Sequence, residues 1–363
     1  MPELADIFRA HWPEYLRRHP NRVLPSHRAA VQRMLDCRTA ALGGRVYACP
    51  EHGKSYAYHS CNHRACPKCG NDKASAWLEK QGERLLPVPH FMAVFTLPSE
   101  LRPLARSNQK EVYSLMFRCA WKALAELAAN PRRLGLEIAA IAVLHTWGRA
   151  MPYHPHIHFL VPAGGFDVVS GKWRRIKSDW FIKGKALGQR FRTLVRQEFK
   201  KAGLVGRADP GAWRKDWVAH IERPESDDSL EGGLKYLAPY VFRTAISNKR
   251  ILSAENGKVT FLHTPSGTRE AEPMTLDALE FIGRFLQHVL PRGFVKVRYF
   301  GYYHHKRKGL VEKAREELGT APVYRFEESK PKPCFRCPHC RREMELVGKL
   351  LPIRAPPQRR NSK

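Results

Sequence analysis

Residues 154–162 read His-Pro-His-Ile-His-Phe-Leu-Val-Pro, and no other stretch restricts the fold so tightly. Successive side chains of a strand point to opposite faces. In a strand, His154, His156 and His158 fall on one face and Ile157, Phe159 and Val161 on the other. Branched and aromatic side chains in a row need a core to cover them. The segment therefore reads as a half-buried strand, ended by Pro162 and the Gly164-Gly165 pair. The remaining face carries imidazoles. Two neutral imidazoles about 7 Å apart along one rigid strand can hold a single divalent cation, given a further ligand.

The preceding segment, 137–147, is a second strand, and 148–153 is the turn between them. With the turn centred between Ala150 and Met151, His145 faces His156 and Trp147 faces His154. His145 is thus the expected third metal ligand, beside His156 and His158. Two other readings compete. Surface histidines on a solvated face explain one such residue better than four on one side of a hairpin. Histidine-triad nucleotide hydrolases share the His-x-His-x-His pattern and need no metal, but they give no reason for the charge or the cysteines.

That charge is large: Lys plus Arg number 63 against 34 Asp plus Glu, a formal net charge of +29. Such a chain repels itself unless an anion screens it, and nucleic acid is the anion that basic side chains bind by displacing counterions. A membrane surface is the weaker alternative. No run of about 18 apolar residues is present, and the first residues lack a secretory core, so the expected compartment is a reducing cytoplasm. Residues 185–202 form a basic amphipathic helix, on which Arg190, Arg192, Arg196, Lys200 and Lys201 are candidate DNA contacts.

Nine cysteines fall mostly in two groups. Close Cys-x2-Cys spacing in a long basic chain points to metal rather than to disulfides. Cys49-x2-His52 and Cys66-x2-Cys69 match a structural zinc site, with Cys61, His59 and His63 as further candidates. Cys334-x2-Cys337-x2-Cys340 with His339 reads as a second zinc site or half of one, and Cys119 as a core residue.

Tyr236 and Tyr240 stand four apart, on one face of a short helix spanning 232–241. A phenol is a poor nucleophile unaided and becomes a useful one where a metal polarises the phosphate under attack. Aromatic core packing is the competing explanation. Around these motifs, 1–36 and 73–86 read as helical, 90–97 as a strand, 103–129 as a helix and 259–263 as a strand. A helix at 275–289 and a strand at 294–303 follow, then a basic tail over the last dozen residues. The order implies an α+β fold with an antiparallel sheet. Expected domains are 1–86 (helical and zinc-binding), 87–305 (catalytic) and 306–363 (basic, with the cysteine cluster).

The stretches CRTAALGGRVYACP (37–50), SCNHRACPKC (60–69), VFTLP (94–98), LHTWGRAMPYHPHIHFLVPAGG (144–165) and YLAPYVFRTAISNKRI (236–251) together resemble the IS91 family of rolling-circle insertion-sequence transposases. That family lies within the His-hydrophobe-His (HUH) endonucleases. The resemblance runs from about Cys37 to Tyr303. It implies an HUH-type antiparallel sheet flanked by helices, with an N-terminal zinc-binding module. It also implies His156 and His158 as the metal pair, Mg²⁺ or Mn²⁺ as catalytic ion, Zn²⁺ as structural ion, and Tyr236 and Tyr240 as nucleophiles. The partners would be single-stranded element ends and target DNA, close to a bacterial nucleoid. His52 stands where the family often has cysteine, and Ala65 where histidine is expected. A replication initiator or relaxase of the same superfamily, or a zinc DNA-binding regulator without catalysis, are the alternatives.

Overall fold

A computed structural model describes residues 2–70, 74–176, 182–222, 241, 244–265, 267–268, 270–319 and 334–353. In chain order its helices and strands begin with α1 (Leu4–Arg18), α2 (Pro25–Asp36), β1 (Gly44–Cys49), β2 (Gly53–Tyr58), α3 (Ala74–Arg84) and β3 (His90–Thr96). Next come α4 (Arg102–Ser107), α5 (Gln109–Ala129), β4 (Leu136–Glu137), β5 (Ala140–Trp147), β6 (Tyr153–Pro162), β7 (Gly164–Asp167) and β8 (Trp173–Arg175). The remainder are α6 (Gly184–Lys201), β9 (Ala219–Glu222), β10 (Ile251–Glu255), β11 (Lys258–His263), β12 (Glu272–Asp277), α7 (Ala278–Leu286), β13 (Val297–Phe300), α8 (Lys308–Glu317) and β14 (Glu345–Leu350). This is an α+β protein in which every paired strand is antiparallel.

The chain divides into two units. One combines Met1–Asp72, Arg243–Val289 and Phe326–Lys363; the other combines Lys73–Phe242 and Leu290–Arg325. The first and last parts of the sequence thus share a unit, joined by a stretch from the expected middle domain.

In the larger unit, a five-stranded sheet runs β13-β5-β6-β3-β9. Its strands alternate as their sequences dictate. Phe91, Ala93 and Phe95 of β3, Ala140, Ala142 and Leu144 of β5, and Ile157, Phe159 and Val161 of β6 share one core with α5 and α6. Phe95 meets Phe159 at 5.6 Å and Phe191 of α6 at 5.1 Å between ring centroids. On α6, Leu187, Phe191, Leu194, Val195 and Phe199 recur at helical spacing and are buried, which is the apolar stripe its sequence implies. Gly188 lets this helix come close: a Cβ there would lie 2.0 Å from the Trp217 carbonyl oxygen. A small sheet, β4-β7-β8, completes the described strands of this unit.

In the smaller unit, α1 packs on α2 and α7, with Phe8 and Phe285 in edge contact at 5.7 Å. It also holds two three-stranded sheets, β14-β1-β2 and β10-β11-β12.

Several boundaries differ from the sequence reading. The strand expected over 137–147 is two: Glu137 pairs with β7, while β5 starts at Ala140. The helix expected from 275 starts at Ala278, because Asp277 ends β12 and caps α7 by accepting the Leu279 and Glu280 amides. The strand expected over 294–303 is confined to β13. β1, β2 and β14 had no counterpart among the expected strands. The expected helix 232–241 lies outside the described residues except for Val241.

Truncating a sheet-core side chain and an exposed turn side chain tests where stability resides. Phe159→Ala is expected to cost about 3–5 kcal/mol in urea unfolding. Val169→Ala, 88% exposed, should stay within about 0.5 kcal/mol.

Candidate functional site

The histidines lie on the sheet face opposite the α5–α6 core. His145 of β5 pairs directly with His156 of β6, as the sequence register requires, and Val143 pairs with His158. Ring centroids stand 5.4 Å apart for His145–His156, 5.1 Å for His145–His158 and 4.9 Å for His156–His158. One ring nitrogen from each lies within 4.8 Å of the other two. Three imidazoles therefore converge on one point.

One part of the expected register fails. Trp147 pairs with Tyr153 instead of His154, because the ladder bulges between His145 and Trp147. Pro155 sits there, and a proline nitrogen has no hydrogen to give the ladder. The bulge separates His154 from the triad's rhythm. Its Nδ1 accepts from Arg102 Nη2 at 2.7 Å, while its carbonyl accepts from His156 Nδ1 at 2.7 Å. That second bond fixes the His156 tautomer and leaves Nε2 with its lone pair.

Burial holds His156 and His158 neutral. It lowers His156 to about 4, with His154 and Arg102 adding repulsion. It lowers His158 to about 3, helped by His156 and Lys296. Neutral imidazoles are the form that binds metal. Three nitrogens suit a borderline cation such as Mn²⁺ better than Mg²⁺, which prefers oxygen.

Cations edge the site. Lys296 lies 5.2 Å over the Trp147 ring, which stacks on His145 at 4.6 Å. Lys296 Nζ also donates to the Val241 carbonyl at 3.1 Å. Sequence reasoning missed Arg102 and Lys296, since nothing distinguishes two cations among 63 until the fold brings them to the histidines. Tyr236 and Tyr240 lie outside the described residues.

The α6 cations divide. Arg190 pairs with Glu126 at 2.6 Å, Lys201 with Glu198 at 2.7 Å, and Arg192 donates to the Lys215 carbonyl at 2.7 Å. Arg196 and Lys200 are exposed, with no ion-pair partner among the described residues.

The expected zinc residues do not form one set. Cys61, Cys66 and Cys69 gather with Cys37, all four buried. Cys61 and Cys69 sulfurs are 3.6 Å apart, and the Cys61 amide donates to Cys37 Sγ at 3.4 Å. Four sulfurs at zinc-bonding length on a tetrahedron are about 3.8 Å apart, so the donor set fits a four-cysteine zinc site. Hydrogen bonds among the thiols drive Cys69 down and Cys61 up from the ordinary range. His63 is occupied otherwise, its Nδ1 accepting from the Ala65 amide at 3.2 Å. Cys49 and His52 lie apart from this set and meet Cys337 and Cys340 instead. Ligands brought from α2 and from a distant segment are invisible to local spacing. Cys119 is buried in the α5 core, as expected.

Comparisons with known proteins identify the family. The IS91-type family described as "Transposase zinc-binding domain" matches residues 7–97, and the family described as "Putative transposase" matches 139–309. "Putative transposase y4qJ" of Sinorhizobium fredii is 36% identical over 372 residues, 96% of this chain and 91% of that protein. The chain belongs to the IS91 family of transposases. The "Transposase for insertion sequence element IS801" of Pseudomonas savastanoi pv. phaseolicola is 30% identical to this transposase over 291 residues, covering 75% of this chain and 69% of that protein. No solved structure matches it. The transposase is thus a DNA-acting enzyme with a structural zinc module. Among its described residues no helix is long and apolar enough to cross a membrane.

Ligand substitution separates His158 from its neighbour. His158→Ala should weaken Mn²⁺ binding at least ~10-fold in an electron-paramagnetic-resonance titration, the lower end of losses for even indirect supporting groups. His154→Ala should shift it by less than about 3-fold, because His154 contacts Arg102 and lies outside the triad.

Proposed function

We propose that this transposase cuts and rejoins single-stranded DNA at insertion-sequence ends, through a tyrosine of the Tyr236–Tyr240 pair and the ion held by His145, His156 and His158. The reading rests chiefly on one chain of contacts. Val241, covalently next to Tyr240, gives its carbonyl to Lys296, and Lys296 lies over the Trp147 ring that stacks on His145. That the residue adjoining a candidate nucleophile is tied beside the histidines supports convergence of the two motifs on one phosphate.

Bound Mn²⁺ or Mg²⁺ would supply Lewis-acid polarisation of the scissile phosphate. The three imidazoles would hold it across two paired strands, β5 and β6, that the core beneath keeps rigid. Lys296 and Arg102 favour an anion at this face. The phenol of Tyr236 or Tyr240 gives up its proton as its oxygen bonds to phosphorus, the bond to O3′ breaks, and the 3′ oxygen takes up a proton and leaves as a hydroxyl. The 5′-phosphotyrosine conserves the ester for rejoining, and the second tyrosine permits another cleavage while the first linkage stands. The work would take place on nucleoid DNA in a bacterial cytoplasm.

Incubation with a labelled terminal oligonucleotide and Mn²⁺ should give a covalent adduct on a denaturing gel. Tyr236→Phe/Tyr240→Phe should abolish it, and an undiminished adduct in that double mutant would overturn the assignment. His156→Ala should lower nicking by roughly 100-fold or more, about 3 kcal/mol of lost charge stabilisation. Single-strand affinity should fall with salt, and Arg196→Ala/Lys200→Ala should flatten the log–log slope by up to about 1.4, two phosphates at about 0.7 each.

A further inference from the structure

The cysteine cluster near residue 340 has no role in the histidine site or in the four-cysteine set, and its sequence repeats a pattern found at the other end of the chain. Cys49-Pro-Glu-His52-Gly53 forms the tip of the β1–β2 hairpin, and Cys337-Pro-His-Cys340-Arg341 forms a second tip. Each reads Cys-Pro-x followed by a second potential ligand. The residue after the last ligand is left-handed in both, at φ 76° for Gly53 and 64° for Arg341. Arginine rarely adopts that conformation, so the fold imposes it. In the second turn the Cys337 amide donates to the Arg342 carbonyl at 2.8 Å, and the Arg341 amide to the Cys337 carbonyl at 2.9 Å.

The two tips face each other. Cys49 Sγ is 3.7 Å from Cys340 Sγ and 3.7 Å from His52 Nδ1. Ligand atoms from Cys49, His52, Cys337 and Cys340 all lie within 4.8 Å of one another. Two sulfurs at 3.7 Å are far from the ~2.05 Å of a disulfide and close to the ~3.8 Å spacing of thiolates on a shared tetrahedral zinc. The surroundings join the same pieces: β14 pairs with β1 from Gly44↔Leu350 to Ala48↔Glu345, Tyr47 stacks on Phe335 at 4.4 Å, and Arg342 pairs with Glu51 at 2.5 Å.

We propose that Cys49, His52, Cys337 and Cys340 form a second zinc site, a clasp of three thiolates and one imidazole that fastens the β14 segment to the N-terminal hairpin. The ligand choice is specific. Cys334 lies outside the set, and His339 stacks on His52 at 5.2 Å between ring centroids without belonging to it. The clasp makes the zinc module discontinuous in sequence, with half its second ligand set some 291 residues from Cys49.

Cobalt replaces zinc in such sites, and its thiolate charge-transfer absorbance counts only sulfur ligands, so it is blind to the histidine site. Full-length protein, stripped of zinc and titrated with Co²⁺, should saturate that band at two equivalents. Cys337→Ser/Cys340→Ser should lower its intensity in the ratio 7:4, the thiolates of both sites against those of the four-cysteine site alone. Cys334→Ser and His339→Ala should leave intensity and stoichiometry unchanged. Saturation at one equivalent, or loss of the second equivalent on Cys334→Ser, would overturn the ligand set. Hydrogen exchange on the unmutated protein gives an independent arm: chelation should speed amide exchange at 345–350 at least 10-fold, and unchanged exchange there would overturn the clasp.

Discussion

A strand that is apolar on one side and lined with imidazoles on the other cannot slip by one residue, since a slip exchanges the faces wholesale. In β6 it would move Ile157, Phe159 and Val161 onto the imidazole face and drive His156 and His158 into the aromatic core. Each imidazole nitrogen left there without a partner costs about 1–3 kcal/mol. The register of β6 against β3 and β5 is therefore set by core packing, and the histidine triad inherits its precision. Here the ordinary hydrophobic effect performs the positioning that a metal site needs. Burial then supplies the second requirement, neutral imidazoles, from the same source.

What could be read from the sequence follows this division. The alternation in β6 is local and period-two, so its faces were legible, and a simple hairpin sum brought His145 opposite His156. The helical stripe of α6 was equally plain. Pro155 shows where such arithmetic ends. A missing backbone hydrogen breaks the ladder, and beyond it Tyr153 replaces His154 opposite Trp147. Tyr153 then sets its hydroxyl 2.5 Å from that of Tyr113 on α5. A side-chain partner 40 residues away lies beyond any local pattern.

The cysteines were harder for a different reason. Spacing identifies chelating pairs but not which pairs share an ion. Cys66 and Cys69 looked like partners for Cys49 and His52, yet Cys37 at the end of α2 and Cys61 complete their set. β14 left little trace either, because Glu345–Leu350 is short and largely exposed. Its place is fixed by pairing with β1, a decision made at long range.

That pairing has a kinetic side. When β1 emerges from the ribosome its outer edge has no neighbour, and the strand that will cover it lies nearly 300 residues downstream. At ordinary elongation speeds of about 5–20 residues per second the interval is about 15–60 seconds. An open strand edge invites pairing with other chains, and such edges are commonly guarded by charge. Arg45 on β1 carries one such charge. Synthesis itself thus exposes the nascent chain to a window of mispairing that closes only when β14 arrives.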